Sequence, residues 1–307
     1  MKDSNEQNPL EEEKKSSDEK ISEPVETEPP MNVGKSPSEE ADDIVKDIQA
    51  PAPAESPQQP QKTGFRYKFA FVLASLIVIV TVAYFLVIHE PTQTVVSLSW
   101  CGYSVSSSLE NPQPQVSHVT ASWAVPYVNP SFSNTLSVAW VGIGGQYDRT
   151  LIQIGTAYDS VFGDATYSAW YELLPDRPVS IGIIKLSPGD IVLASITLLD
   201  PIMNTWSIEM QDITTGKSFQ KNVIYDSSML SAEWVIERPY VGNTISSLAN
   251  FGKVTFTGCS ATIDGRAGSI STFPSSRFIM KNSQSREIAT ASPLVANGTS
   301  FSVDYKA

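Results

Sequence analysis

Ser231–Tyr240 reads Ser-Ala-Glu-Trp-Val-Ile-Glu-Arg-Pro-Tyr. Apolar and acidic residues alternate there with period two, which predicts a β-strand with two different faces. The apolar face carries Ala232, Trp234 and Ile236. The opposite face carries Glu233, Val235 and Glu237.

Glu233 and Glu237 share one sheet face with a single valine between them. Desolvation and a like-charged neighbour both raise the pKa of a carboxyl group, which suits a group that transfers protons. The same spacing also fits two solvated glutamates on an edge strand. These two residues alone do not distinguish a proton-transferring site from a solvated surface, so the surrounding sequence is needed.

Composition limits the classes of function. The chain has 307 residues and a net charge of −12, and its length allows one large or two ordinary domains. Residues 1–62 carry 16 acidic and 7 basic residues, so most of the acidity belongs to the N-terminal segment. No basic patch is present, and nucleic acid is not expected as a partner.

Residues 1–65 are rich in proline and in runs of acidic residues such as Glu11-Glu12-Glu13. A segment of this composition buries too little apolar surface to offset its conformational entropy. We predict a disordered, acidic, cytoplasmic tail.

Residues 66–90 are predicted to form a transmembrane signal anchor. The 20 residues Phe69–Ile88 contain no charge, glycine or proline, and as a helix they would span roughly 30 Å of hydrocarbon. A buried helix of a globular domain is the alternative. Arg66 and Lys68 precede the run, which predicts a cell-membrane protein with its N-terminus in the cytoplasm and residues 91–307 outside.

Residues 91–307 consist of short β-branched and aromatic runs between Pro, Gly, Asn and Asp. This texture predicts one all-β domain, an antiparallel two-sheet sandwich. The predicted strands are Val116–Val125, Thr135–Ile143, Ser168–Leu173, Ile191–Leu198, Thr205–Asp212, Val254–Thr262 and Phe301–Tyr305. Turns are predicted at Ser187–Asp190 and at Thr214–Lys217.

Cys101 and Cys259 are the only cysteines. In an oxidising compartment one pair most simply forms one disulfide, and two separate buried thiols are the alternative. No His-Glu-x-x-His, Gly-x-Ser-x-Gly or glycine-rich phosphate loop occurs, so no metal or cofactor is expected. Carboxylates and amides remain as catalytic groups.

Three stretches carry a resemblance to a known family: Ala139–Gly145 followed by Leu151–Gly155, Tyr167–Pro175, and Ala232–Glu237. In this order and spacing the sequence resembles the glutamic peptidases (eqolisins, peptidase family G1). The resemblance extends over roughly Trp100–Tyr305. It implies a concanavalin-like sandwich of two antiparallel seven-stranded sheets and an endopeptidase acting on polypeptide substrates.

The resemblance places the catalytic glutamate at Glu237 and the catalytic glutamine at Gln153. Trp140 and Glu172 fall on family positions near the substrate, and each also fits a structural role. A carboxyl group can remove a proton from water and then return it to the leaving nitrogen, while a neutral amide can stabilise the oxyanion. From the free glutamate pKa of about 4.3 we expect an acidic optimum.

The sequence departs from the family at two places. Gly144 stands where an acidic residue is usual, and Leu173-Leu174 replaces an aromatic pair, which leaves the substrate preference open. Two other functions remain: a non-catalytic sandwich that binds peptides or glycans, and a glycosidase using Glu233 or Glu172 with Glu237.

Overall fold

The computed structural model describes residues 72–78 and 92–306. Residues 72–78 are helical, and within the described ranges no helix has the length and apolar character needed to cross a bilayer. The predicted tail and most of the predicted anchor lie outside these ranges, so both stay predictions.

Residues 92–306 contain eighteen β-strands, most of them short and antiparallel. Their bounds are β1 Thr92–Ser97, β2 Trp100–Ser106, β3 Val116–Ala124, β4 Thr135–Gly144, β5 Leu151–Val161, β6 Asp164–Leu173, β7 Val179–Ser180, β8 Ile191–Asp200, β9 Thr205–Asp212, β10 Lys217–Ile224, β11 Ser231–Glu237, β12 Tyr240–Val241, β13 Thr244–Ile245, β14 Lys253–Ile263, β15 Arg266–Gly268, β16 Ser275–Lys281, β17 Glu287–Ala291 and β18 Phe301–Tyr305. Two 3-10 turns, Ile270–Thr272 and Ala296–Gly298, complete the described elements.

The strands form two packed layers. One, the back layer, has the order β10-β9-β8-β3-β14, and the other, the site layer, has the order β2-β11-β4-β5-β6-β7. Strands β4, β5 and β11 contact β3 and β8 across the interior. The all-β sandwich prediction is therefore confirmed.

The family resemblance implied two separate sheets, but the two layers of this structure are joined. Strands β18, β17 and β16 pair in succession and join β14 to β2, so hydrogen bonding continues from one layer to the other. A register shift after Met280 interrupts the β16–β17 pairing, and such irregularities let a sheet bend sharply. Strand β1 pairs with β16 in parallel orientation.

Two tryptophans tie the layers together through the core. Trp123 Nε1 on β3 donates to Thr156 Oγ1 on β5 at 2.9 Å. Trp234 Nε1 on β11 donates to the Thr120 carbonyl oxygen on β3 at 2.8 Å. Each buried indole thus satisfies its donor on the opposite layer, which holds the layers in one alignment.

Strand β11 has the two faces that its alternation predicts. Ala232, Trp234 and Ile236 belong to the main core between the layers. Val235 belongs to a second, smaller cluster on the outer face of the site layer, together with Val138, Trp140, Leu151 and Trp170. Both faces of β11 are therefore covered. Because β11 also pairs with β2 on one side and β4 on the other, it is not an edge strand, and the prediction of solvated glutamates on an edge strand is wrong.

The seven predicted strands are confirmed as β3, β4, β6, β8, β9, β14 and β18, with ends shifted by a few residues. Both predicted turns are present as well. Asp190 accepts a hydrogen bond from the Ser187 amide at 2.7 Å. Asp212 accepts from the backbone of Thr214 and Thr215 at the β9–β10 hairpin.

The predicted disulfide between Cys101 and Cys259 is wrong. Both are free, fully buried thiols of the main core. Cys101 lies on β2 of the site layer and Cys259 on β14 of the back layer. Packed layers are about 10 Å apart, whereas a disulfide needs Cα atoms within about 7 Å. Burial raises the pKa of the Cys101 thiol to about 12.

Candidate active site

Glu237 ends strand β11 on the outer face of the site layer. Its nearest partner is Trp140, whose Nε1 donates to Glu237 Oε2 at 2.9 Å. Trp140 lies on β4 opposite Val235, so the bond runs diagonally between adjacent strands. The structure therefore brings these two predicted site residues together.

Two glycines make room for the Trp140 side chain. A Cβ atom on Gly142 would lie 2.7 Å from Trp140 Cζ3, and one on Gly155 would lie 2.6 Å from Trp140 Cβ. Trp100 packs edge-on against the same indole, with ring centroids 5.1 Å apart. These neighbours fix the orientation of the indole, and with it the N–H group that points at Glu237.

The surroundings of Glu237 favour its protonated form. Burial raises the pKa of Glu237 from 4.5 to about 7, because the carboxyl group is surrounded by protein although the residue keeps some exposed surface. The indoles of Trp140 and Trp100 act in the opposite direction, and the negative charge of Glu172 adds to the rise. A carboxyl group of this kind exchanges protons near neutral pH.

Gln153 and Glu172 form a second pair on this layer. They face each other across β5 and β6, and Gln153 Nε2 donates to Glu172 Oε2 at 2.6 Å. Gln153 is only 4% exposed, and its Oε1 is buried without a hydrogen-bond partner. One amide N–H and the amide oxygen are thus free of protein partners. Burial raises the pKa of Glu172, while the bond from Gln153 lowers it.

The two pairs lie on the same layer but are not directly bonded. Strands β11 and β5 flank β4 on opposite sides, and no hydrogen bond described for residues 92–306 joins Gln153 to Glu237. Their link is electrostatic, because the Glu172 carboxylate that holds Gln153 also raises the pKa of Glu237. A substrate or a water molecule would have to bridge the gap.

Glu233 lies on the same face of β11 but is inaccessible. Its side chain is fully buried, and neither carboxyl oxygen has a hydrogen-bond partner of good geometry. Burial raises the pKa of Glu233 well above its ordinary value; the nearby Ser231 hydroxyl opposes the shift and Asp148 adds to it. This burial leaves Glu233 without a route to a sugar or peptide, which removes one of the two carboxyl pairs proposed for a glycosidase.

Gly144 has a physical reason to replace an acidic residue. Its φ of +91° lies in the region that favours glycine, and a Cβ atom there would lie 2.5 Å from the Thr150 carbonyl oxygen. The turn between β4 and β5 therefore excludes any side chain at this position.

Sequence reasoning missed two residues of the outer face. Trp100 lowers the pKa of Glu237, and Trp170 belongs to the smaller cluster on the outer face of the site layer. Trp100 is a single tryptophan in β2, and Trp170 lies within the Tyr167–Pro175 stretch, where no site role was assigned to it. A tryptophan in a strand fits the main core equally well. In the ranges that the structure describes, no group of three His, Cys, Asp or Glu side chains could hold a metal ion.

Comparisons with known proteins show which proteins the chain is similar to. The chain is 32% identical to aspergillopepsin-2 of Aspergillus niger over 172 residues, which covers 54% of this chain and 58% of that protein. It is 30% identical to scytalidopepsin B of Scytalidium lignicola over 184 residues, or 56% and 67% of the two chains. The chain thus spans little more than half the length of aspergillopepsin-2.

Solved structures give the same result. A crystal structure of scytalido-glutamic peptidase with a transition state analog inhibitor matches with a TM-score of 0.59 and 27% identity, covering 69% of this chain and all of that one. Aspergilloglutamic peptidase from Aspergillus niger matches with a TM-score of 0.51 and 27% identity, over 56% and 99% of the chains. The Peptidase A4 family model matches residues 98–305. Because that match covers more than half of the chain, the protein belongs to the Peptidase A4 family.

Proposed function

We propose that the chain is a glutamic endopeptidase that hydrolyses polypeptides with Glu237 and Gln153. The observation that carries this proposal is the state of Gln153. Its amide is held by one bond to Glu172, while its oxygen and second N–H remain unpaired on the layer that carries Glu237. Buried amides rarely leave polar atoms unsatisfied without a functional reason. Membership of the Peptidase A4 family and the similarity to scytalidopepsin B support the same reading.

The proposed reaction uses these groups in turn. Ionised Glu237 takes a proton from a water molecule, whose oxygen attacks the carbonyl carbon of the peptide bond. The free N–H of Gln153 donates to the oxygen that becomes negatively charged, and its carbonyl oxygen orients the water. Glu237 then gives its proton to the leaving nitrogen as the C–N bond breaks. The products are a carboxylic acid and an amine.

The raised pKa of Glu237 changes the expected pH dependence. An acidic optimum follows from the free glutamate pKa of about 4.3, but the carboxyl group here has a pKa of about 7. Because the mechanism starts from ionised Glu237, kcat/KM should rise with pH and reach half its limit near pH 7.

The test is hydrolysis of a denatured protein by the full chain across the pH range. Glu237→Gln should lower kcat/KM by about 100- to 10,000-fold, and Gln153→Ala by about 100- to 1,000-fold. Glu209→Gln is the matched control, since Glu209 lies on β9 of the back layer. Folded Glu237→Gln and Gln153→Ala variants with parental activity would refute the assignment.

We also propose that residues 66–90 anchor the protein in the cell membrane with the C-terminal domain outside. The support is the uncharged run Phe69–Ile88 with Arg66 and Lys68 before it. After alkaline extraction of membranes, the chain should stay in the pellet. A protease added to intact cells should remove residues 91–307 and spare the tail. Release of the chain by alkali would contradict the anchor.

A further inference from the structure

The turn between β8 and β9 presents large apolar side chains to the solvent. Ile202 is 88% exposed, and more than half of the surface of Leu199 and of Met203 is exposed as well. Turns mostly use glycine, proline, asparagine, aspartate and serine, and exposed apolar patches mark surfaces that bind another molecule or a membrane. These three residues form the apolar tip.

The backbone of the turn is held in a fixed conformation. Asp200 Oδ1 accepts hydrogen bonds from the amides of Ile202 at 2.8 Å and Met203 at 3.1 Å. The Asn204 carbonyl oxygen accepts from the Tyr225 amide at 3.0 Å, which ties the turn to the end of β10. The apolar tip is therefore displayed by an ordered turn.

The turn carries acidic but no basic side chains. The sequence has no lysine or arginine between Lys185 and Lys217, whereas Asp200 caps the turn and Asp226 accepts from Asn204 Nδ2 at 3.3 Å. Anionic lipid surfaces are recognised by clusters of lysine and arginine. The chemistry that suits the apolar tip is therefore apolar without being anionic, as in a bilayer of zwitterionic lipids.

The first strand of the domain begins at one end of the sandwich. Thr92 pairs with Ser275, which pairs with Val105. Val105 in turn pairs with Ala232 near the start of β11. Thr92 is four residues beyond Ile88, where the uncharged run ends, and four residues span at most about 14 Å. In the anchored protein proposed above, this end of the sandwich lies next to the bilayer.

The apolar tip lies at the same end of the sandwich. The Val116 amide at the start of β3 donates to the Met229 carbonyl oxygen at 3.0 Å, two residues before β11 begins. Strand β8 runs antiparallel to β3, with His118 opposite Thr197, so β8 ends where β3 begins. The turn that follows β8 therefore projects from the end that carries the start of β1.

Another exposed apolar residue lies at the opposite end. Phe162, in the turn between β5 and β6, is 77% exposed. Ala232 pairs with Ile143, which pairs with Ile152 at the start of β5. Phe162 is ten residues beyond Ile152, or about 33 Å along the strand. The position of Thr92 thus selects the apolar tip, and not Phe162, as the surface beside the membrane.

A bilayer at this end of the sandwich covers the apolar tip. Moving the side chains of Ile202 and Met203 from water into the lipid surface is favourable in proportion to the apolar area that leaves water. We propose that the apolar tip inserts into the outer surface of the membrane that anchors the chain, which gives the domain a second point of membrane contact. The proposal rests on the membrane anchor proposed above.

The experiment places an environment-sensitive fluorophore on Leu199→Cys in the full chain, reconstituted in phosphatidylcholine nanodiscs that each hold a single chain. Cys101 and Cys259 are fully buried, so the introduced cysteine takes the label. The emission should shift to the blue, and lipid-borne nitroxides should quench it. Phe162→Cys is the matched control at the opposite end, and its label should show neither effect.

The double substitution Ile202→Asn, Met203→Asn should abolish the blue shift and the quenching at Leu199→Cys. It removes apolar area but keeps the Asp200 bonds to the backbone, so the unfolding temperature should stay at the parental value. Equal quenching of the labels at 199 and 162, quenching of neither, or quenching that survives the double substitution would overturn the proposal. A blue shift that needs several chains in one nanodisc would assign the apolar tip to a second copy of the chain, and would overturn it too.

Alkaline extraction separates this proposal from the anchor. If the chain stays in the membrane pellet but the label on Leu199→Cys is not quenched, the assignment of the apolar tip fails alone. If alkali releases the chain, the full chain is mixed with phosphatidylcholine vesicles. Flotation with the vesicles that the double substitution abolishes would keep the assignment without the anchor. Flotation of both proteins or of neither would overturn the assignment together with the anchor.

Discussion

Replacing Trp140 by phenylalanine removes the indole N–H that lies 2.9 Å from Glu237 Oε2. A hydrogen bond to a charged group contributes about 1.5–3 kcal/mol, and about 1.4 kcal/mol corresponds to one pKa unit. Because the bond favours ionised Glu237, its loss should raise the pKa of Glu237 by about 1 to 2 units above its starting value of about 7.

The assay is kcat/KM for a fixed peptide as a function of pH, since its acidic limb reports the pKa of the essential base in the free enzyme. The limb of Trp140→Phe should shift upward by that amount, and kcat/KM at pH 6 should fall about 10- to 100-fold. Thermal unfolding should be measured in parallel to identify any loss of folded protein.

Trp170→Phe is the matched control. Trp170 belongs to the same outer cluster, and its Nε1 is buried without a hydrogen-bond partner, so the substitution removes the same volume without touching Glu237. Its limb should stay at the parental pH. An unmoved limb in Trp140→Phe, or equal shifts in both variants, would show that the Trp140 bond does not set the pKa of Glu237.

Three further predictions follow from the packing. Gly142→Ala should destabilise the domain by about 1–3 kcal/mol and lower activity, because the added Cβ would lie 2.7 Å from Trp140 Cζ3. The control is Gly182→Ala, whose added Cβ would have no atom within 4 Å and should change neither stability nor activity. Glu233→Gln should unfold at a higher temperature than the parent at neutral pH. Because the pKa of Glu233 is raised, the folded state keeps a proton that the unfolded state releases above about pH 4.3, so the stability of the parent falls with rising pH. A variant whose stability falls equally steeply with pH would contradict this account. Dithiothreitol should leave the unfolding temperature unchanged because Cys101 and Cys259 are free thiols, whereas a drop of several degrees would indicate a disulfide.

The strand at the centre of the fold could be predicted from its residues. The alternation of Ala232, Trp234 and Ile236 with Glu233, Val235 and Glu237 specifies two faces, and strand register carries that pattern through the sheet. The sequence could not show that both faces are covered, because the outer cover comes from Trp140 and Trp170 on other strands.

The chemistry of the candidate site was less predictable. The bond between Gln153 and Glu172 depends on the register of β5 against β6, and local sequence does not specify register. The pKa of Glu237 depends on burial by distant residues, and the sequence alone does not specify that burial. The predicted disulfide was wrong because the sequence does not reveal which layer each cysteine-bearing strand belongs to.

The central claim is that Gln153 and Glu237 act on one substrate bond as a unit, although no hydrogen bond joins them in the described chain. The most direct measurement is kcat/KM of Glu237→Gln, Gln153→Ala and the double variant on one peptide. Residues that act as a unit lose activity non-additively, so the double variant should be no less active than Glu237→Gln alone. Losses that multiply in the double variant, or a Gln153→Ala variant with parental activity, would contradict the account.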